Sequence, residues 1–254
     1  MISDLRDKVV LITGASTGIG AAAALAFARL GSKLVVHYNA SRDAAESVAT
    51  DIRAVGAQVL LTGGDVMQES AVKHIVADTM AEFGRIDVLI NNAGGMLGRV
   101  KIEDYTIEQI DRVLSLNVTQ VALFMREVIP VMRRQKSGNV INVTSIAARN
   151  GGGGGAVLYA GAKGFVSTVT RGWAKEVVGD NIRINAVSPG VITTPFHDRY
   201  STAEQLSVMQ ATVPMNRLGT ADECAGTFVY LASNEMSGYV TGQVIEVNGG
   251  QYMP

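Results

Sequence analysis

The chain has 254 residues, 47% of them hydrophobic and 18% charged, with a net charge of −1. That length buries a large core, and near-neutral charge exerts no long-range pull on nucleic acid or an anionic membrane, so neither is expected as a partner. Cys224 is the only cysteine, the N-terminal MISDLRDK is charged with no apolar stretch behind it, and no run of about 18 apolar residues exists; a cytoplasmic protein without disulfide, secretory leader or membrane span is expected.

Short β-branched runs alternate with longer amphipathic stretches along the whole chain. A strand is predicted over 9–13, then a glycine-rich turn, TGASTGIG, and a helix over 19–30. A strand over 34–38 and a helix over 43–55 follow, then a strand over 58–62 and a helix over 70–83. The fourth strand, 88–91, leads to a long helical stretch over 107–134, where Pro130 predicts a kink. After a strand over 139–144 comes GGGGG at 151–155, read as a flexible connection, and a helix over 158–178. A strand over 183–188, a helix over 221–232 and a strand over 243–247 complete the series. Cys224 falls in the apolar pattern of its helix and reads as a small core residue. Strand–helix alternation of this kind predicts one α/β domain over 1–254, a Rossmann-type doubly wound sheet of about seven parallel strands with helices on both faces.

The turn after the first strand has the context of a phosphate site, because it opens directly into a helix. Gly14, Gly18 and Gly20 are spaced G-x-x-x-G-x-G, and backbone without Cβ lets a pyrophosphate reach the amides at the helix start. A dinucleotide is the expected ligand. At the end of the second strand a carboxylate would hold a ribose 2′-hydroxyl and repel a 2′-phosphate; here stand Tyr38, Asn39, Ser41 and Arg42. NADP(H) is therefore preferred, with NAD(H) as the alternative. Thr17, uncharged in the glycine turn, and Asp43, placed to neutralise Arg42, weigh the other way.

Tyr159 and Lys163 lie four apart in LYAGAKG, so on a helix they project one turn apart from one face. A free phenol titrates near 10, and a neighbouring ammonium favours its phenolate, which is the pattern of a tuned acid/base. Ser145 lies upstream in INVTSIA without the G-x-S-x-G surround of a hydrolase nucleophile. His37, His74 and His197 are scattered without metal-ligand spacing, and no metal is expected.

With these motifs in this order, the chain resembles the short-chain dehydrogenase/reductase family over essentially its whole length. TGASTGIG is similar to that family's cofactor turn, which brings Ser16, Thr17 and Ile19 into the expected cofactor set. Asp65 and Val66 resemble its adenine-contacting pair, and NNAG at 91–94 supplies Asn92, Ala93 and Gly94. Asn117, Ser145, Tyr159 and Lys163 resemble its catalytic tetrad. SPGVITT at 188–194, with Pro189, Gly190, Val191, Ile192 and Thr194, resembles the segment flanking the nicotinamide. The Ser145–Tyr159 interval is slightly longer than usual because of the glycine run. The resemblance implies hydride transfer between nicotinamide and a ketone or secondary alcohol. In that scheme Tyr159 exchanges the proton, Ser145 orients the oxygen, Lys163 holds the nicotinamide ribose and lowers the Tyr159 pKa, and Asn117 holds a relay water. It also implies a homotetramer, with contacts through 107–134, 158–178 and the C-terminal strand.

Residues 191–217 follow a strand's carboxyl end without strong periodicity and are expected to form a substrate flap. Phe196, Tyr200, His197, Met209 and Met215 on it, and Met96, Leu97 and Arg99 after NNAG, are candidates for the pocket lining. SGYVTGQVIEVNGGQYM is similar to 3-oxoacyl-acyl-carrier-protein reductases, and Arg133, Arg134 and Lys175 fall near their carrier-binding basic positions. A 3-oxoacyl thioester, with acyl carrier protein as partner, is the leading expectation. A sugar or polyol dehydrogenase is the alternative, and a dinucleotide sensor without turnover ranks below both.

Overall fold

A computed structural model describes residues 2–254. In chain order the elements are β1 (Val9–Ile12), α1 (Gly18–Arg29), β2 (Lys33–Tyr38), α2 (Arg42–Ala54), β3 (Val59–Gly63), α3 (Glu69–Phe83), β4 (Val88–Asn91), α4 (Ile107–Leu114), α5 (Gln120–Gln135) and β5 (Gly138–Val143). Then come α6 (Ala147–Asn150), α7 (Val157–Val177), β6 (Ile182–Pro189), β7 (Ile192–Thr193), α8 (Pro195–Tyr200), α9 (Ala203–Ala211), β8 (Gly219–Thr220), α10 (Ala221–Ala232), α11 (Asn234–Ser237) and β9 (Val244–Val247).

Seven strands form one parallel sheet in the order β3-β2-β1-β4-β5-β6-β9. The chain starts in the middle, winds outward through β2 and β3, then returns to β4 on the other side of β1. Connections leaving β1 and β4 therefore diverge, and the crevice between them at the carboxyl ends of the strands is where such sheets bind ligands. β1 and β4 are buried throughout and read as continuous apolar runs because helices cover both faces. Phe27, Phe228 and Val36 anchor the core on one face; Val35, Ile75, Phe124 and Met132 anchor it on the other. Cys224 is fully buried, as its apolar context predicts. No helix among the described residues is long and apolar enough to cross a membrane.

Three local expectations are corrected. The long fourth helix is interrupted, but at a π-helical turn over Ser115–Thr119; Pro130 lies inside a continuous α5. Proline has no amide hydrogen for the carbonyl four residues back, which belongs to Arg126, an exposed residue. The glycine run is a shaped connection, with all five residues at positive φ, a stretch that only glycine tolerates. Gly155 O accepts from Val100 N at 3.1 Å and Gly154 O from Arg99 Nη1 at 3.0 Å, which docks the run against the loop after β4. The flap region is not irregular throughout: it forms α8 and α9, and α9 opens with a capping box between Thr202 and Gln205 but buries no side chain.

Arg183 shows how this sheet holds a helix end. Only 8% exposed, its guanidinium donates to Leu231 O at 2.9 Å, Val240 O at 3.1 Å and Asn234 Oδ1 at 3.0 Å, tying the end of α10 to β6. The Leu231 carbonyl, in the last turn of α10, has no further helical turn to donate to it, so the buried charge serves as a cap there.

Candidate active site

The turn after β1 is held from two sides. On one, Asn92 Nδ2 donates to Thr13 O at 2.9 Å and Gly14 O at 2.8 Å, while Thr13 Oγ1 accepts from the amides of Asn92 at 3.0 Å and Ala93 at 2.9 Å. On the other, the Gly14 amide donates to His37 Nδ1 at 3.0 Å. Thr13 opens the glycine motif without being singled out in it, and His37 belongs to no motif. Their signal is a polar side chain at the carboxyl end of an otherwise apolar strand.

Beyond that turn, α1 begins with no acid in its first turn, and Thr17 makes no side-chain capping bond, so the leading amides are left for an anion. Ser16 and Ile19 are half-buried beside them. A Cβ on Gly20 would sit 2.6 Å from both Asn92 Nδ2 and Gly14 O, so the close packing of helix on turn admits no side chain. Opposite, Thr194 Cγ2 lies 3.3 Å from the point a Gly18 Cβ would occupy, so the segment after β6 closes on the glycine turn. Val191 and Ile192 are buried there, Gly190 N donates to Val247 O at 2.9 Å, and Pro189 O accepts from Ile146 N at 2.9 Å. The cradle fits a dinucleotide pyrophosphate.

On the adenine side, Asp65 Oδ1 accepts from Met67 N at 3.0 Å. Val66 is 3% exposed and its side chain packs in the core. The Tyr38 ring lies over Gly63, whose Cβ would be 2.9 Å from Tyr38 Cζ. Asn39, Ser41 and Arg42 are exposed beyond it. The ionic partner of Arg42 is Glu46 at 3.9 Å, not Asp43. At that length and 72% exposure the pair holds the guanidinium weakly.

Asn117, Ser145, Tyr159 and Lys163 come from the π turn, the loop after β5 and α7. Asn117 is fully buried: its Nδ2 donates to Val113 O at 2.9 Å and Gly95 O at 2.8 Å, and its Oδ1 accepts from Gly95 N at 3.1 Å. The π turn shifts the helix hydrogen-bond ladder, and the Asn117 amide reaches the Val113 carbonyl. Both donors thus go to backbone, which fixes the loop carrying Gly94. A Cβ on Gly94 would lie 2.9 Å from Asn117 Oδ1 and 3.1 Å from Lys163 Nζ, so this bare position is what lets the two side chains converge.

Lys163 is 3% exposed and donates from Nζ to Val143 O at 2.8 Å. Nζ stands 5.8 Å from the centroid of the Tyr159 ring. Its own carbonyl accepts from Thr144 Oγ1 at 2.8 Å, fixing α7 against the end of β5. Burial pushes the Lys163 ammonium down to about 8. Burial also pushes the Tyr159 phenol up to about 12, the Ser145 hydroxyl draws it back partway, and the Tyr200 phenol adds to the rise. Desolvation is the largest influence on the phenol in the unliganded site. Ser145 Oγ accepts from Ala147 N at 3.1 Å, so the hydroxyl both starts α6 and keeps its proton to donate.

The expected pocket residues divide. Phe196 lies with its ring 5.7 Å from that of Tyr159 and 5.0 Å from that of Tyr200. Arg99 donates from Nε to Tyr200 O at 2.9 Å, so one guanidinium joins the end of α8 to the glycine run. Met96 is 5% exposed, next to Gly95, whose Cβ would be 3.4 Å from the Tyr200 hydroxyl. Met215, by contrast, is 65% exposed, with its side chain near Gly249. A groove of about 410 Å³ along α9, lined by Leu206, Ser207 and Gln210, is separate from the tetrad. Arg133 and Arg134 end α5, roughly 24 Å along the helix from Asn117 at about 1.5 Å per residue, and Lys175 ends α7 at the same distal edge. Arg133 is paired there with Asp180 at 2.8 Å. Among the described residues no group of three or more His, Cys, Asp and Glu side chains gathers into a metal site.

A family profile described as Enoyl-(Acyl carrier protein) reductase matches residues 14–251. The chain is 39% identical to a 3-oxoacyl-[acyl-carrier-protein] reductase of Synechocystis sp., across 98% of each chain. It is 36% identical to the 3-oxoacyl-[acyl-carrier-protein] reductase FabG of Thermotoga maritima, across 97% of this chain and 98% of the relative. Among solved structures it is similar to NADH-dependent reductase A1-R′ complexed with NAD, with a TM-score of 0.90, 36% identity and complete coverage of both chains. Levodione reductase gives a TM-score of 0.90 at 34% identity over 97% of this chain and 98% of that one.

Proposed function

The chain belongs to the short-chain dehydrogenase/reductase family and is an oxidoreductase of it, and we propose that it reduces the ketone of a 3-oxoacyl thioester with NADPH as its preferred dinucleotide. The observation that carries the reading is the convergence of Ser145, Tyr159 and Lys163 beside the cradle of the glycine turn. Full-length similarity to 3-oxoacyl-acyl-carrier-protein reductases supports the thioester.

When bound, the nicotinamide supplies the hydride that adds to the carbonyl carbon. Residues 14–20 and the start of α1 hold the pyrophosphate, Asp65 and Val66 the adenine, and 190–194 the nicotinamide side. Tyr159, protonated across the neutral range, gives its proton to the carbonyl oxygen. Ser145 donates a hydrogen bond to the same oxygen and fixes it facing the phenol. Lys163 holds its charge below about 8, places it beside the phenol and steadies the phenolate left behind. Asn117 holds the Gly94–Gly95 loop through which Lys163 is reached, and its second Oδ1 lone pair is the place for a relay water. Phe196 and Tyr200 on α8 cover the substrate, and α8 and α9 act as the flap.

For NADPH over NADH the support is local: no carboxylate ends β2, and Ser41 and the weakly paired Arg42 stand exposed where a 2′-phosphate needs donors. A homotetramer in the cytoplasm completes the proposal. β9 is a half-exposed edge strand, and Val157, Phe165 and Tyr239 expose apolar surface on α7 and before β9. A monomer by light scattering at micromolar concentration overturns the tetramer.

A second reading, action on a sugar or polyol, has its own support in the similarity to a reductase named for alginate metabolism. Assays with acetoacetyl-CoA plus NADPH or NADH, run beside glucose and polyols plus the oxidised dinucleotides, separate the two. Thioester turnover with kcat/KM at least about tenfold higher for NADPH, a difference of about 1.4 kcal/mol, is the expected result. Sugar-dependent dinucleotide reduction with no thioester turnover moves the enzyme to the second reading, and equal or better use of NADH removes the cofactor preference.

A further inference from the structure

His37 is the one histidine sealed inside the molecule, 1% exposed, and both of its ring nitrogens have partners. Nδ1 receives the Gly14 amide at 3.0 Å and Nε2 lies 2.9 Å from Gly64 O. These partners settle the tautomer. A backbone amide only donates and a carbonyl only accepts, so Nδ1 is bare and Nε2 carries the proton. The His37 main chain holds the same turn, its carbonyl accepting from Ala15 N at 2.9 Å. One residue of β2 thus spans the chain exits of β1 and β3, between the turn that takes the pyrophosphate and the loop that leads to Asp65.

We propose that His37 is a positioning residue for the dinucleotide: as the neutral Nε2–H tautomer it fixes the Gly14 amide and registers the phosphate-binding turn against the adenine-side loop at Gly64. Asn92 and Thr13 hold the turn from the β4 side, and His37 is the matching strut from the β2 side. A second proton would go on Nδ1 and set N–H against the Gly14 N–H, so the proton and a well-placed turn exclude each other. Burial already disfavours the charged ring, while the Gly64 carbonyl and the Asp65 carboxylate favour it less strongly. Around the ring, Thr13, Gly14 and Ala15 after β1 and Asn92 after β4 carry no titrating side chain. From the β3 side stands Asp65; further off, on α3, Asp78 is bonded to Thr62 and to His74. The proton is therefore taken up only below the ordinary histidine range of about 6.5, and dinucleotide affinity falls there.

The inference rests on dinucleotide binding in this crevice and is independent of the substrate. The test is the dissociation constant of NADPH, read by its fluorescence without substrate, for wild type, His37→Leu and His37→Asn at pH 8 and pH 5.5. Asparagine Oδ1 is placed much as Nδ1 is and accepts from Gly14, yet it does not titrate. At pH 8, His37→Asn, which keeps the Gly14 bond and loses the Gly64 bond, should bind more weakly than wild type but more tightly than His37→Leu, which loses both, strands a buried amide and falls at least about tenfold below wild type. Between pH 8 and 5.5, wild type should weaken more than His37→Asn; the 2′-phosphate titrates alike in both, so the difference belongs to the ring. In turnover assays the loss should appear in the KM for the dinucleotide more than in kcat. Leucine binding like wild type, or asparagine showing the full wild-type acid loss, overturns the proposal; should the leucine protein not fold, the asparagine comparison decides alone. Failure of wild type to bind either dinucleotide refutes the cofactor reading instead.

Discussion

Tyr159→Phe lowers kcat for carbonyl reduction by about 10²–10⁴, the range of a positioned general acid, while the NADPH dissociation constant stays within a few-fold of wild type. The substitution removes one oxygen from a ring otherwise held by packing against Phe196, at 5.7 Å between centroids. No backbone hydrogen bond depends on that oxygen. Its neighbours are Ser145 and Tyr200, which lie on the carbonyl side of the site, whereas the glycine turn is held by Asn92, Thr13 and His37. Binding and chemistry therefore separate at this residue. With the phenol pushed up to about 12, the hydroxyl is protonated at every working pH, so proton supply does not limit the reductive direction. A kcat within a few-fold of wild type for Tyr159→Phe refutes the general-acid role.

Lys163→Met is the second large effect, and its signature is a split between activity and stability. Methionine keeps much of the length and apolar contact of the side chain but carries no charge. We expect kcat/KM to fall by about 10²–10⁴, with weaker dinucleotide binding through loss of the ribose contact. The thermal midpoint should hold or rise, because replacing a buried charge with an apolar side chain of similar volume is often neutral or stabilising. In wild type the ammonium loses its proton near 8, so reductive kcat/KM declines as pH rises through that value, and Lys163→Met lacks this limb. The stability linkage has the opposite slope. The folded pKa of about 8 lies below the ordinary 10.5, so the unfolded chain binds the extra proton between them and wild-type stability rises with pH across that window. Lys163→Met should lack that rise. A midpoint several degrees lower with activity intact would make Lys163 a structural residue.

Strand and helix positions were legible because the pattern is strongly periodic: β1 and β4 are continuous apolar runs and α10 spans the predicted residues. What the sequence could not show depended on contacts made across the sheet. The π turn at Ser115–Thr119 leaves apolar spacing almost unchanged, so it was invisible, whereas Pro130 sits within α5 without ending it. GGGGG reads as slack by composition, but it is docked against Arg99 and Val100, 55 residues away. The role of His37, and the contacts that Thr13 makes from within the glycine motif, became visible only once β1, β2 and β4 were side by side. The sign of the Tyr159 shift escaped for the same reason: spacing reveals the neighbouring lysine, but only packing reveals how much water is gone. Arg133, Arg134 and Lys175 were read as a carrier-facing set, and α5 and α7 place them at their C-terminal ends.

The most direct measurement is to incubate the enzyme with acetoacetyl-CoA and NADPH deuterated at the nicotinamide C4, then locate the label in the product by mass spectrometry and NMR. Deuterium on the carbon bearing the new hydroxyl of 3-hydroxybutyryl-CoA, formed by wild type and lost with Tyr159→Phe, is the result predicted here. Unlabelled product, or no product at saturating NADPH while wild type binds the dinucleotide, contradicts it.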